Sequence, residues 1–161
     1  PDFIVGQSTE TIAVNSRQQR GAKRGPPPGL NGQWITDFTL ARQLAQQHNT
    51  PLMLDFTGSD WCGWCIKLDE EVFDTEAFRQ WAAKRVVLVK LDYPRRTKQD
   101  PELKKQNEAL SQHYQIRGFP TVLIIDPAGK ELRRFGYTKG GFKAWLNGLL
   151  ANTRGLESLT P

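Results

Sequence analysis

The sequence predicts an α/β fold: a central mixed sheet with helices on both faces, preceded by an irregular N-terminal arm. Three observations predict it. Short apolar runs at 52–56, 86–91 and 121–125 alternate with stretches of helical periodicity. The last run is followed by the turn Asp126-Pro127-Ala128-Gly129 and a strand-like stretch at 131–137, which together read as a hairpin. Strands that alternate with helices and then close on a hairpin need both parallel and antiparallel neighbours. Residues 1–33 break the pattern: Pro26, Pro27 and Pro28 follow a basic polar stretch punctuated by Gly21, Gly25, Gly29 and Gly32. Such a segment buries too little apolar surface to offset its ordering entropy, so it reads as an arm or linker.

The elements follow in order. Asp37 is placed to cap a helix carrying Leu40, Ala41, Leu44 and Ala45, which Asn49, Thr50 and Pro51 end. The run at 52–56 reads as a central strand with one acid, Asp55, inside it. A turn at 58–61 leads into a helix over 62–73, whose apolar positions are Leu68, Val72 and Phe73. Asp74 is expected to cap a further helix with Ala77, Phe78, Trp81 and Ala82 on its buried side. A second buried strand spans 86–91, and a polar, basic loop covers 93–100. Asp100-Pro101-Glu102 is a strong helix start: a capping acid, proline in the first turn, then an acid at the positive end of the dipole. The final helix carries Phe142, Trp145, Leu146, Leu149 and Leu150 at i, i+3, i+4, i+7 and i+8. The folded domain is thus expected over 34–152, with 153–161 as a C-terminal tail.

Composition narrows the function. The 161 residues suit one domain with some extra chain. Only two cysteines are present, three positions apart, which excludes a disulfide-stapled scaffold. The longest apolar runs, 86–89 and 122–125, fall far short of the ~20 residues a membrane helix needs, so no span is expected. Lys and Arg total 22 against 17 acids, a net charge of +5. The basic stretches are Arg17, Arg20, Lys23 and Arg24, then Arg95, Arg96 and Lys98, with Tyr93 the sole aromatic beside them. Nucleic-acid binders interleave aromatics with such charge, so nucleic acid is not expected as a partner. A solvated surface is the plainer reading, with an anionic surface or acidic partner as the alternative.

The chemistry concentrates in Trp61-Cys62-Gly63-Trp64-Cys65, just after a buried strand and at the start of a helix. Thiol–disulfide exchange needs a thiolate, and a free cysteine with a pKa of ~8.5 is little ionised at neutral pH. Unpaired N–H groups and the positive dipole end at a helix start favour the thiolate of Cys62. Two intervening residues on a helical turn bring the sulfurs within disulfide range. A zinc site would need His48 and His113 as further ligands, and these form no close second pair. Covalent haem attachment needs a histidine where Ile66 stands. Two inert core cysteines fit poorly with a flanking Trp, a Gly and a helix start. No metal and no dissociable cofactor are therefore expected.

These residues, with Gly118-Phe119-Pro120-Thr121 further along, closely resemble the thioredoxin superfamily over residues 34–152. Phe56-Thr57-Gly58-Ser59-Asp60-Trp61-Cys62 is similar to the disulfide oxidoreductases of bacterial envelopes. The resemblance implies a thioredoxin fold, with Cys62 as the exposed attacking thiol and Cys65 as the resolving one. It implies that Pro120 is cis and faces the pair, leaving the Phe119 backbone free to pair with an extended substrate. It also implies that Asp55 lies beneath Cys65 as a proton acceptor acting through water, with Lys90 as the matching lysine. Burial should raise the Asp55 pKa and Lys90 should oppose the rise.

Plainer alternatives stay open: a trans turn at Pro120, a partly exposed strand-end acid at Asp55, and local packing at Trp64. Three departures stand out. Trp64 replaces the proline that small reductive thioredoxins carry between the cysteines. One extra residue separates Asp55 from Cys62. The stretch from Tyr93 to Tyr114 is longer, and its Arg95, Arg96, Lys98, Lys104 and Lys105 read as solvated surface or as a bias in partner choice. Asp69, Glu70 and Glu71 read as a solvated charge run.

The expected function is reduction or isomerisation of disulfides in protein substrates, with Trp61, Gly63, Trp64, Phe119 and Pro120 at the substrate surface. The rivals are a disulfide-forming oxidase and a non-catalytic interaction domain. A separate redox partner protein is expected to recharge the pair, and the chain is expected to be a monomer. The chain starts at Pro1 with no charged-then-apolar leader. The arm then reads as linker behind a removed export signal, which points to the periplasm or another extracytoplasmic site, with the cytoplasm as the alternative.

Overall fold

The structure, a computed structural model, describes residues 30–152 and 154–161; the arm reading for residues 1–29 lies outside the described residues. Helix α1 spans Phe38–His48, with the Asp37 carboxylate accepting the Leu40 N–H at 3.1 Å, and Asn49 ends it in the left-handed region. Strand β1 is Leu52–Thr57. Helix α2, Gly63–Leu68, runs on into a π-helical turn, Asp69–Phe73. Helix α3 is Glu76–Ala83, strand β2 is Val87–Asp92 and helix α4 is Pro101–His113. Strands β3, Thr121–Ile125, and β4, Glu131–Phe135, form the hairpin. Helix α5, Gly141–Leu150, is followed by a 3₁₀ turn, Glu157–Leu159.

The expected cap of α3 needs correcting. The Thr75 hydroxyl, not Asp74, accepts the Phe78 N–H. Asp74 is still tied to the preceding turn, its N–H donating to Asp69 O at 2.8 Å. It therefore ends one helix and does not start the next.

The sheet order is β2-β1-β3-β4, with β1 parallel to β2 and the remaining pairs antiparallel. Ile35 adds a parallel bridge to Val89 on the free edge of β2. This is the mixed sheet the sequence predicts. Side chains alternate across it. Met53, Leu88, Val122 and Ile124 meet α2, α3 and α5 through Leu68, Val72, Phe73, Phe78, Trp81 and Trp145. Leu52, Leu54, Val87, Val89, Leu123 and Ile125 meet α1 and α4 through Ala41, Ala45 and Leu110. The C-terminal stretch packs on the first of these layers: Leu156 and Leu159 are buried there, and the Trp81 indole N–H donates to Leu159 O at 2.9 Å.

The topology positions the site. The C-terminal ends of parallel β1 and β2 lie at one sheet edge, where α/β sheets bind their ligands. Strand β3 is antiparallel to β1 and starts at that edge, with Thr121 opposite Phe56. The segments 58–65 and 118–120 thereby meet.

Candidate active site

Gly58 makes the turn out of β1. A Cβ built there would stand 2.4 Å from the Trp61 indole. The Cys62 N–H returns to Gly58 O at 2.9 Å, closing the turn. Trp61 is fixed from the other side: its indole N–H donates to Tyr93 O at 2.7 Å and its ring meets Phe119 edge-on, centroids 5.7 Å apart. Tyr93 in turn packs on Phe119 at 5.1 Å. Gly58→Ala should displace Trp61 and cost about 1–3 kcal/mol, the usual penalty of overpacking a filled site. Urea unfolding with tryptophan emission as the probe checks both effects.

Cys62 is the N-cap of α2, in extended conformation, and its sulfur accepts the Cys65 N–H at 3.3 Å. The Cys65 sulfur accepts the Gly58 N–H at 3.4 Å. The two are joined as a disulfide with Cα atoms 5.2 Å apart. They are not equivalent: Cys62 keeps 7% of its surface exposed, Cys65 only 1%. Around Cys62 the surface is open. Gly63 is exposed, and nothing lies within 4 Å of where its Cβ would be. Trp64 is 59% exposed, and its ring packs on Tyr137 with centroids 5.1 Å apart, as the local-packing reading expects. The Phe119–Pro120 peptide is cis.

Asp55 follows Met53 by two residues in β1, so its side chain points to the layer that holds α2 and the π-helical turn. It is 1% exposed, and neither of its carboxylate oxygens, nor the Thr57 hydroxyl, has a hydrogen-bond partner among the described residues. Burial pushes the Asp55 carboxyl up to about 8; Lys90 opposes the rise, and the carboxylates of Asp69 and Asp92 add to it. The acid is therefore mostly protonated at neutral pH.

Lys90 sits opposite Asp55 in the β1–β2 register. Its ammonium group, however, pairs with Asp69 at 3.5 Å and lies 5.1 Å from the centroid of the Trp34 ring. The solvated reading of the 69–71 run is thus corrected at two of its residues. Asp69 is half-buried against Lys90, and Glu71 accepts the Tyr137 hydroxyl at 2.7 Å. These three acids form the first residues of the π-helical turn, and two of them reach partners, Lys90 in β2 and Tyr137 ahead of α5. Burial raises the Asp69 carboxyl despite the pull of Lys90. Asp69→Asn removes a negative neighbour of Asp55 and frees Lys90 to act on it. Both changes should lower the Asp55 pKa, and pH-dependent urea unfolding reads this as a lower midpoint in the stability profile.

Sequence reasoning missed Asp60 and the role of Arg95. The Asp60 carboxylate accepts the backbone N–H groups of Arg95, Arg96 and Thr97 at 3.0, 2.8 and 3.0 Å. These bonds hold its carboxyl below the usual range. The Arg95 guanidinium lies 3.5 Å from the centroid of the Trp61 ring. The available signal was an acid two places before the cysteine pair in a chain with a long polar loop at 93–100. Among the described residues, no group of three or more His, Cys, Asp or Glu is arranged to hold a metal ion.

A cysteine pair closed at a helix start, one sulfur near the surface and its partner buried behind it, is built for thiol–disulfide exchange, and its setting defines a thioredoxin-fold oxidoreductase. Comparison with known proteins agrees. The chain belongs to the thioredoxin-like domain family, whose model matches residues 38–149. It is 34% identical over 122 residues to the disulfide bond reductase DsbH of Chlamydia pneumoniae, covering 76% of this chain and 73% of that protein. It is 33% identical over 114 residues to the thiol:disulfide interchange protein DsbD of Actinobacillus pleuropneumoniae serotype 5b, covering 68% of this chain but only 18% of that protein. A solved DsbH oxidoreductase structure superposes with a TM-score of 0.69 at 33% identity, over 79% of this chain and 88% of that one. A thioredoxin from Thermus thermophilus, at 22% identity and a TM-score of 0.54, shares the fold.

Proposed function

We propose that the chain reduces disulfides in protein substrates, with Cys62 as attacking thiol and Cys65 as resolving thiol. The observation that carries this reading is the asymmetry of the pair: Cys62 at the helix start with its sulfur stabilised by the Cys65 N–H, Cys65 buried behind it. In the reduced chain, the Cys62 thiolate attacks a substrate disulfide. One substrate sulfur bonds to Cys62 and the other leaves as a thiolate. Cys65 then loses its proton through water to Asp55 in its ionised form, a minor fraction at neutral pH that grows toward pH 8, and attacks the Cys62 sulfur. The Cys62–Cys65 bond forms, the second substrate thiolate leaves, and two electrons have passed to the substrate. A redox partner protein returns them.

Asp55, with a pKa of about 8, suits this proton transfer because a base works best when poised near the operating pH. Lys90 acts on Asp55 through its charge, while held by Asp69. Trp61, Gly63, Trp64, Phe119 and Pro120 form the substrate surface, and an extended segment pairs with the Phe119 backbone. The similarity to a disulfide bond reductase supports the reductive direction. The same reading puts the protein outside the cytoplasm, as a monomer. No helix among the described residues is long and apolar enough to cross a membrane.

Turbidity from insulin reduced by dithiothreitol tests the proposal. The chain should shorten the lag at catalytic concentration. A lag equal to that of dithiothreitol alone would contradict it.

A further inference from the structure

We propose that Arg95 is a specificity residue beside the disulfide and selects substrate segments that carry Asp or Glu close to their cysteine. The inference rests on the oxidoreductase reading and adds a substrate preference to it. Its basis is a guanidinium held in place with its hydrogen-bonding edge unused. The face of the group is taken: it lies 3.5 Å from the centroid of Trp61, the residue just before Cys62. That platform is itself fixed by the bond from the Trp61 indole to Tyr93 O. The Arg95 backbone is fixed too, by the bond from its N–H to Asp60.

Asp60, the acid that holds the Arg95 backbone, is spent on backbone N–H groups and the Thr97 hydroxyl. Among the described residues, no carboxylate lies within ion-pair distance of the Arg95 guanidinium. Stacking on an aromatic face leaves the in-plane N–H fork free, and that fork matches a carboxylate. The surrounding charge reinforces it: Arg95, Arg96 and Lys98 are exposed, and no acid occurs from Tyr93 to Gln99. A pre-oriented guanidinium stacked on the residue before the attacking cysteine is thus placed to meet a side chain that flanks the substrate's own cysteine. An exposed pair of this kind changes a rate by up to about fivefold and weakens with salt.

The test uses two disulfide-linked peptides of equal length, one with Glu and one with Lys beside the cysteine. Their kcat/KM for reduction by the reduced full-length chain is compared at low and high salt. The Glu peptide should be favoured about fivefold at low salt, and the preference should shrink at high salt. Arg95→Gln should remove most of the preference, and Arg95→Lys, which keeps the charge but loses the fork, should restore only part of it. Lys84→Gln removes the same charge from an exposed position ahead of β2, at the opposite end of the sheet, and should keep the preference. Equal rates for the two peptides, or a preference that survives Arg95→Gln, would overturn the inference. Failure of the unaltered chain to reduce either peptide would overturn the oxidoreductase reading beneath it.

Discussion

Cys62→Ser should reduce insulin turnover to the uncatalysed background, whereas Cys65→Ser should leave the chain trapped on its substrate. The two sulfurs differ in access and in support. Cys62 caps α2 and receives the Cys65 N–H, so its thiolate is stabilised where a substrate can reach it. Serine at 62 leaves only Cys65, which is 1% exposed and cannot meet a protein disulfide. Serine at 65 leaves the attack intact and removes the thiol that resolves it. The mixed disulfide then accumulates and appears in non-reducing mass spectra as the sum of chain and substrate. Equal activity in Cys62→Ser, or an adduct through Cys65 in that variant, would reverse the assigned roles.

Asp55→Asn should stabilise the folded, oxidised protein by an amount that grows with pH. The sign follows from proton counting. The ordinary value for this acid is 3.8, and in the folded protein it rises to about 8, mainly through burial. Between these values the folded state holds a proton that the unfolded state has released. Stability therefore falls as pH rises through that window and levels off above about 8. Asparagine never ionises and escapes the loss. The gap between variant and parent should be near zero at about pH 4 and reach about 6 kcal/mol above pH 8, at ~1.36 kcal/mol per unit of pKa. Urea unfolding across that range measures it, and a gap independent of pH would contradict a buried, raised Asp55. The same variant should prolong the mixed disulfide, because asparagine accepts no proton from Cys65.

Much of this site was legible because its chemistry sits in short, local patterns. Asp100-Pro101-Glu102 starts α4 with the Asp100 side chain accepting N–H groups as its residue type predicts. Asp55 inside an apolar strand signalled a buried acid, and Lys90 in the next strand lands opposite it in register. What stayed hidden depends on partners distant in sequence. Asp69 reads as one of three solvated acids until the π-helical turn brings it to Lys90, 21 residues away. Asp60 reads as part of a turn until the loop 35 residues on folds over it. The choice of Thr75 over Asp74 as cap depends on where the π-helical turn stops, which periodicity does not mark. Leu156 and Leu159 are too few to form a pattern, yet both are buried in the core.

The reduction potential of the Cys62–Cys65 pair, measured by equilibration against glutathione and dithiothreitol buffers, tests the central claim most directly. A protein that donates electrons to substrate disulfides should poise near −270 mV, roughly where thioredoxin lies. A value near about −120 mV would mark an oxidant and contradict the reductive direction. The absence of any reversible dithiol–disulfide couple would contradict the account as a whole.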